Sequence, residues 1–148
     1  MEQKQSFLKQ KIDLESPNKN IVPITTSIGS DGKLSIGGCS IEELVKKYDS
    51  PLYILDEITL RNSCRAYKKA LEKYYPGKSL PIYASKANSS LFMSNLVSSE
   101  GFGLDAVSEG ELLTAIKGGV PNEKIVFHGN NKSDKAVSYT HLRAHETG

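Results

Sequence analysis

Three residues of this 148-residue chain combine a reactive side chain with a place where a fold would present it. Lys86 stands in Tyr83-Ala84-Ser85-Lys86-Ala87-Asn88, Asp105 in Gly103-Leu104-Asp105 and His128 in Phe127-His128-Gly129. Each ends or follows a short apolar run of strand type. A lysine held at a strand end and desolvated by its neighbours can act as an amine nucleophile and form a Schiff base with an aldehyde. A carboxylate beside it can orient it or exchange protons with it, and an imidazole can stack on a flat ring or move protons. Each residue also has a plainer reading. Lysine is ordinarily a solvated surface charge, Asp105 can cap the turn that follows it, and His128 can be a satisfied rim histidine. Glu111 reads as the acidic member of a capping box with Ser108, which stabilises a helix by about 1 kcal/mol.

Other constellations are weaker. Cys39 and Cys64 have neither metal-ligand nor CxxC spacing and read as reduced packing residues in a cytoplasmic setting. Gly101, Gly103, Gly118 and Gly119 have turn and cap roles and form neither GxGxxG nor a phosphate loop. His141 and His145 stand at i, i+4 without a third ligand or the HExxH form, so no metal is expected. The net charge is +2, from 19 basic and 17 acidic residues. The signs are interspersed, which writes no basic face for nucleic acid or an anionic membrane. Mean hydropathy is −0.37, and no apolar run approaches the ~20 residues of a membrane span.

The elements that must position the three residues are read from the apolar pattern. Residues 1–20 are polar and aperiodic and read as a flexible leader. IVPITTSI, GSDG and KLSIGG predict a hairpin. Residues 40–48 predict a short helix with a Ser40–Glu43 capping box and a face of Ile41, Leu44, Val45 and Tyr48. PLYILD (51–56) reads as a strand. Residues 57–75 form a long helical pattern with Leu60, Cys64, Tyr67 and Leu71 on one stripe, stopped by Pro76-Gly77. LPIYA, FGLDAV and KIVFHG are three further strand runs. Between them lie a helix with Leu91, Phe92, Asn95 and Leu96, and a second with Leu112, Leu113, Ala115 and Ile116 that closes at Gly118-Gly119. The strands are apolar without alternation and are separated by helices, which predicts an α/β fold with a parallel sheet and right-handed crossovers. In such folds functional residues gather at the carboxyl ends of the strands, where Lys86, Asp105 and His128 fall. The pattern alone does not separate a (β/α) barrel from an open doubly wound sheet.

The block YASKAN (83–88) resembles the pyridoxal-phosphate lysine motif of the alanine-racemase-fold decarboxylases, and three other blocks stand in that family's order. PLYILDE (51–57), with Leu60-Arg61 behind it, is similar to the opening barrel strand and helix. GFGLDAVSEGEL (101–112) is similar to the family's G-x-D-x-x-S-x-G-E-L block. IVFHGNNKS (125–133) resembles the block after it, in the form typical of the branch that acts on diaminopimelate. The resemblance runs from about residue 31 to residue 135.

The resemblance implies a (β/α)₈ barrel that binds pyridoxal 5′-phosphate. Residues 21–49 would be a short β-segment of a second β-domain, and residues 50–135 the first part of the barrel. A complete barrel needs roughly 250 residues. It implies that Lys86 holds the cofactor covalently and passes it to the amine of a small amino-acid substrate, that Asp105 and Glu111 lie near that lysine, and that His128 lines the same pocket. The implied reaction, in lysine biosynthesis, removes CO₂ from the D-centre of meso-diaminopimelate to give L-lysine, in a cytoplasmic homodimer. Alternatives of the same fold are an ornithine, arginine or carboxynorspermidine decarboxylase, or a non-catalytic pyridoxal-phosphate carrier. HGNNKS favours diaminopimelate, and the leading β-segment counts against a carrier. The family's phosphate loop and the acidic partner of its pyridine nitrogen have no counterpart here, so the chain alone is expected to be inactive. Residues 137–147, VSYTHLRAHET, back-translate into a transposase-type sequencing-library adapter, and residues 136–148 are therefore expected to be foreign to the fold.

Overall fold

The computed structural model of the chain describes residues 21–129. The expected leader and the expected adapter-derived tail lie outside them. The chain forms two compact units that divide between Ser63 and Cys64.

The first unit holds a three-stranded antiparallel sheet, β1 (Ser27–Ile28), β2 (Leu34–Ile36) and β3 (Cys39–Ser40), in the order β1-β2-β3. Ser27 pairs with Ser35 and Ile28 with Leu34 around the Ser-Asp-Gly turn, where Asp31 Oδ1 accepts the Lys33 N–H at 3.2 Å. This is the expected hairpin. The third strand was not expected. Ile36 pairs with Cys39 across Gly37-Gly38, whose φ values of +60° and +80° are the pair of left-handed residues that a tight two-residue hairpin turn demands. Cys39 is exposed rather than packed.

Helix α1 (Ile41–Tyr48) follows. Ser40 stands at its N-cap but makes no side-chain cap hydrogen bond, so the expected Ser40–Glu43 box does not form. Glu42 is engaged by Lys33 at 2.9 Å instead, and Glu42, Glu43, Lys46 and Lys47 complement the helix dipole at its two ends. Residues 51–56, expected as a strand, have no ladder partner among the described residues; an apolar run becomes a strand only when a neighbour takes up its backbone groups. Their function here is to start α2 (Glu57–Tyr74). Asp56 is buried, and its Oδ2 accepts the Thr59 N–H at 3.1 Å and the Thr59 hydroxyl. On α2 the predicted stripe is half-buried at Leu60, Cys64 and Leu71, whereas Tyr67 is exposed.

The second unit is built on three parallel strands, β4 (Ile82–Ala84), β5 (Gly103–Ala106) and β6 (Ile125–Phe127), in the order β4-β5-β6. Helices α3 (Leu91–Ser99) and α4 (Glu109–Lys117) connect them. The buried side chains are Met93, Leu96, Val97, Phe102, Leu104, Ala106, Leu112, Ala115 and Val120. Leu104 and Ala106 face this core, so by strand alternation Gly103 and Asp105 face the other way. Ile82 and Val126 share that opposite face and remain 43% exposed. Of the residues that suggested α3, Leu96 is buried with Met93 and Val97, whereas Leu91 and Phe92 are exposed.

Strands that are neighbours in space in their sequence order are wound as in a (β/α) barrel; a doubly wound sheet reverses its strand order part-way. Three strands in this order fit part of a barrel and equally one half of a doubly wound sheet, whose reversal lies between its halves. Two features hold the register and the rim. A Cβ at Gly103 would stand 2.5 Å from the Lys124 carbonyl oxygen, so only glycine lets β5 and its neighbour approach this closely. Arg65 on α2 donates twice to the buried Glu100 carboxylate, at 3.0 and 2.8 Å, and Lys68 Nζ reaches the Glu100 carbonyl at 3.0 Å, fastening α2 to the end of α3.

Candidate functional site

All three residues singled out from the sequence lie at the carboxyl edge of the parallel sheet. Lys86 is the middle residue of the single 3₁₀ turn Ser85–Ala87 that leaves β4, and it is exposed. Asp105 is the third residue of β5, in register with Ala84 on one side and Val126 on the other. His128 is the first residue past β6, and its N–H donates to the Ala106 carbonyl at 3.0 Å, extending the ladder by one step.

The geometry joins two of them directly. Asp105 Oδ1 and His128 Nδ1 are 2.5 Å apart. Asp105 is opposite Val126, and His128 is two residues beyond Val126 on the same face. Diagonal neighbours of this kind are within reach of an aromatic side chain. A carboxylate only accepts, so Nδ1 carries the proton and Nε2 is left as an acceptor in the neutral ring and a second donor in the cation. The Asp105 side chain is 23% exposed and that of His128 is 61% exposed, which presents the imidazole rather than burying it. Asp105 thus orients an imidazole rather than capping a turn, and His128 is a rim histidine whose Nδ1 is satisfied. Lys86 shares their edge, two residues beyond the residue registered with Asp105, and among the described residues it forms no ion pair.

Glu111 takes part in the cap its spacing suggested, but its carboxylate answers the Val107 N–H rather than that of Ser108. Its N–H donates to Ser108 Oγ at 3.3 Å, and its Oε2 accepts the Val107 N–H at 2.7 Å. The carboxylate thus holds the segment that leaves β5 two residues after Asp105, at the N-terminus of α4. Among the described residues no group of His, Cys, Asp and Glu could hold a metal ion.

Sequence reasoning missed the framework of the lysine turn. The Tyr83 hydroxyl donates to the Asn88 carbonyl at 3.2 Å, Asn88 Oδ1 accepts the Ser90 N–H at 3.0 Å, and Ser90 Oγ caps α3 by accepting the Met93 N–H at 3.3 Å. The run Asn88-Ser89-Ser90 before an apolar stretch was a legible helix-start signal; the tyrosine contact had none. Burial pushes the Tyr83 phenol above its usual range, so it stays a protonated donor. Ser85 is buried, and its hydroxyl has no hydrogen-bond partner among the described residues. A separate cleft of about 320 Å³ lies in the first unit, lined by Ile36, Cys39, Leu44, Ile54, Asp56 and Ile58 among others; none of Lys86, Asp105 and His128 lines it.

The family model for the pyridoxal binding domain of pyridoxal-dependent decarboxylases matches residues 57–145. The chain is 48% identical over 126 residues to the diaminopimelate decarboxylase of Synechocystis sp., a match covering 80% of this chain and 27% of that protein. It is 44% identical over 109 residues to the diaminopimelate decarboxylase of Bacillus subtilis, covering 74% of this chain and 25% of the relative. A crystal structure of diaminopimelate decarboxylase from M. jannaschii matches with a TM-score of 0.71 at 35% identity, over 78% of this chain and 27% of that one. A second structure of that enzyme, in co-complex with L-lysine, matches at 0.67 over 80% and 28%. The chain spans about a quarter of the length of the curated relatives it matches.

Proposed function

The chain belongs to the pyridoxal-dependent decarboxylases, and from that premise we propose that the protein carrying it removes CO₂ from the D-centre of meso-diaminopimelate to give L-lysine, with pyridoxal phosphate as cofactor. The observation that carries the reading is the carboxyl edge of the parallel sheet, where an exposed primary amine at Lys86 stands at the same rim as the Asp105–His128 pair. Substrate choice is supported by the relatives, which are named diaminopimelate decarboxylases, and by HGNNKS at 128–133.

The residues present fit such a cofactor. An aldehyde needs an amine that no carboxylate has claimed, and among the described residues none pairs with Lys86. A flat ring needs low relief beside the group that holds it, and Ala84, in register with Asp105, is the small residue there. Bound there, pyridoxal phosphate supplies a carbonyl for amines and a conjugated ring that takes up the electron pair left when a carboxylate departs. The chain's own residues do the rest. Lys86 would hold the cofactor and, once released from it, is a free amine able to carry a proton. Asp105 fixes the His128 ring by holding the Nδ1 proton, which leaves Nε2 as the group presented at the rim. Glu111 keeps the segment after β5 in place through Val107. The protein as a whole is read as a cytoplasmic homodimer; among the described residues no helix is long and apolar enough to cross a membrane.

The test uses the complete protein. Borohydride reduction in the presence of pyridoxal phosphate is expected to label Lys86, and CO₂ and lysine are expected from meso-diaminopimelate. Label on Lys78 or Lys117 instead, or a clear preference for ornithine or arginine, overturns the reading.

A further inference from the structure

We propose that Tyr83 is a positioning residue for Lys86: with Asn88 it forms a clasp that closes the lysine turn across its base and sets where the amine stands. The proposal rests on the reading of Lys86 as the residue that holds pyridoxal phosphate.

Lys86 sits on a single 3₁₀ turn of three residues. Such turns have few hydrogen bonds of poor geometry and hold no fixed position unaided. The lysine side chain is a flexible four-carbon stem, so the backbone beneath it decides where the amine can reach. On the incoming side that backbone is fixed by the ladder of β4 with β5, which runs to Ala84. On the outgoing side residues 88–90 belong to no strand or helix. The clasp acts there. The Tyr83 hydroxyl crosses from the incoming strand to the Asn88 carbonyl. Asn88 then engages Ser90, and Ser90 caps α3, whose Met93, Leu96 and Val97 lie in the core. Both ends of the turn are thereby tied to parts of the unit that cannot move without disturbing packing.

Tyr83 acts through the backbone rather than by touching the cofactor. It is in register with Leu104, which faces the core, whereas Ala84 is in register with Asp105 on the open face. A tyrosine serving only as packing would be replaced by phenylalanine without consequence, because the ring fills the same space. The hydroxyl is what spans the turn.

The experiment compares the complete protein with Y83F, N88A and the control S98A. The control removes another single side-chain-to-backbone hydrogen bond of the same unit, from Ser98 Oγ to the Gly119 carbonyl at 2.9 Å. Three quantities are read: the rate at which borohydride traps pyridoxal phosphate on Lys86, the visible circular dichroism of the bound cofactor, and the melting temperature. Loss of one hydrogen bond from the clasp is expected to slow trapping and weaken cofactor retention about two- to tenfold, and to weaken the visible dichroism. S98A, at a matched loss of melting temperature, is expected to leave both as they are. Trapping and dichroism unchanged in Y83F overturn the proposal, and so does an equal loss in S98A, which would mark a general structural effect. If Y83F does not fold, N88A, which keeps the carbonyl that Tyr83 reaches and removes the Oδ1 link to Ser90, decides by the same criteria whether the clasp sets the amine's position. Failure of the underlying reading shows itself separately, as label on a lysine other than Lys86 in the unaltered protein.

Discussion

The first unit and the second are ordered by different means. Among residues 21–63 the buried residues are Thr26 and Asp56, both polar, and α1 buries none of its residues. Its hairpins are held by turn chemistry at Asp31 and Gly37-Gly38 and by side chains that answer single backbone groups, as Thr25 Oγ1 does for the Gly37 N–H and Thr59 Oγ1 for the Ile24 N–H. Every fully apolar buried side chain of the described residues belongs to the second unit. The lesson is about where chemistry can be held. A reacting amine and an oriented imidazole need a backbone that does not yield, and packing behind the sheet supplies one, whereas a hairpin whose large apolar side chains are exposed, such as Ile28 and Leu34, does not.

The largest expected effect tests that contrast. Leu104 is 1% exposed and stands directly before Asp105. Leu104→Ala is expected to destabilise the complete protein by about 2–5 kcal/mol, the range for a large-to-small change in a close-packed core. Leu34→Ala, at an exposed position in the first unit, is expected to cost less than about 1 kcal/mol. Denaturant unfolding of the two variants measures the difference. Equal losses would break the comparison by showing that the first unit carries a core of its own.

A second pair of substitutions separates support of the site from support of the fold. An alanine at Gly103 brings its Cβ within 2.5 Å of the Lys124 carbonyl oxygen. The strands must part, at about 1–3 kcal/mol for overpacking, and Asp105 moves with β5 away from His128. Gly32→Ala meets nothing within 4 Å but must hold φ near +75°, which costs about 1 kcal/mol for a residue with a Cβ. Both variants are expected to lose stability, and only G103A to lose affinity for pyridoxal phosphate as well, measured by equilibrium titration. Loss of affinity in G32A would show that the first unit supports the site after all.

How far the sequence could be read follows the same division. LPIYA, FGLDAV and KIVFHG were legible because a strand covered by helices is written as an apolar run, and each run contains an observed strand. The positions of Lys86, Asp105 and His128 followed from the rule that strand ends carry chemistry. Their contact did not: Asp105 and His128 are 23 residues apart, and only the register of β5 on β6 brings them together. PLYILD carried the same apolar signal as the true strands yet found no partner among the described residues. β3 escaped because a two-residue strand has no periodicity to read, although Gly37-Gly38 was a turn signal. The start of α2 at Glu57 was read where it stands, while its Asp56 cap was taken as the end of the apolar run before it.

The smallest expected effect concerns the two serines that look alike in sequence. Ser40 precedes Ile41-Glu42-Glu43, and Ser108 precedes Glu109-Gly110-Glu111; each offers a hydroxyl at N-cap and a glutamate three residues on. Ser108 accepts the Glu111 N–H, and Glu111 answers by accepting the Val107 N–H. Ser40 makes no such bond: it pairs through its backbone with Ser35 as the last residue of β3, and its side chain caps nothing. Removing a cap that is formed costs about 1 kcal/mol, while removing a half-buried hydroxyl that caps nothing stays within about 0.5 kcal/mol. Ser108→Ala is therefore expected to lower the stability of the complete protein measurably and Ser40→Ala to leave it where it was, and native-state hydrogen exchange localises the loss. Faster exchange at the Glu111 amide in S108A, without a change at the Glu43 amide in S40A, ties the difference to the caps. An equal response at both would mean that α1 is capped in solution as α4 is, and that local chemistry is used alike in the two units.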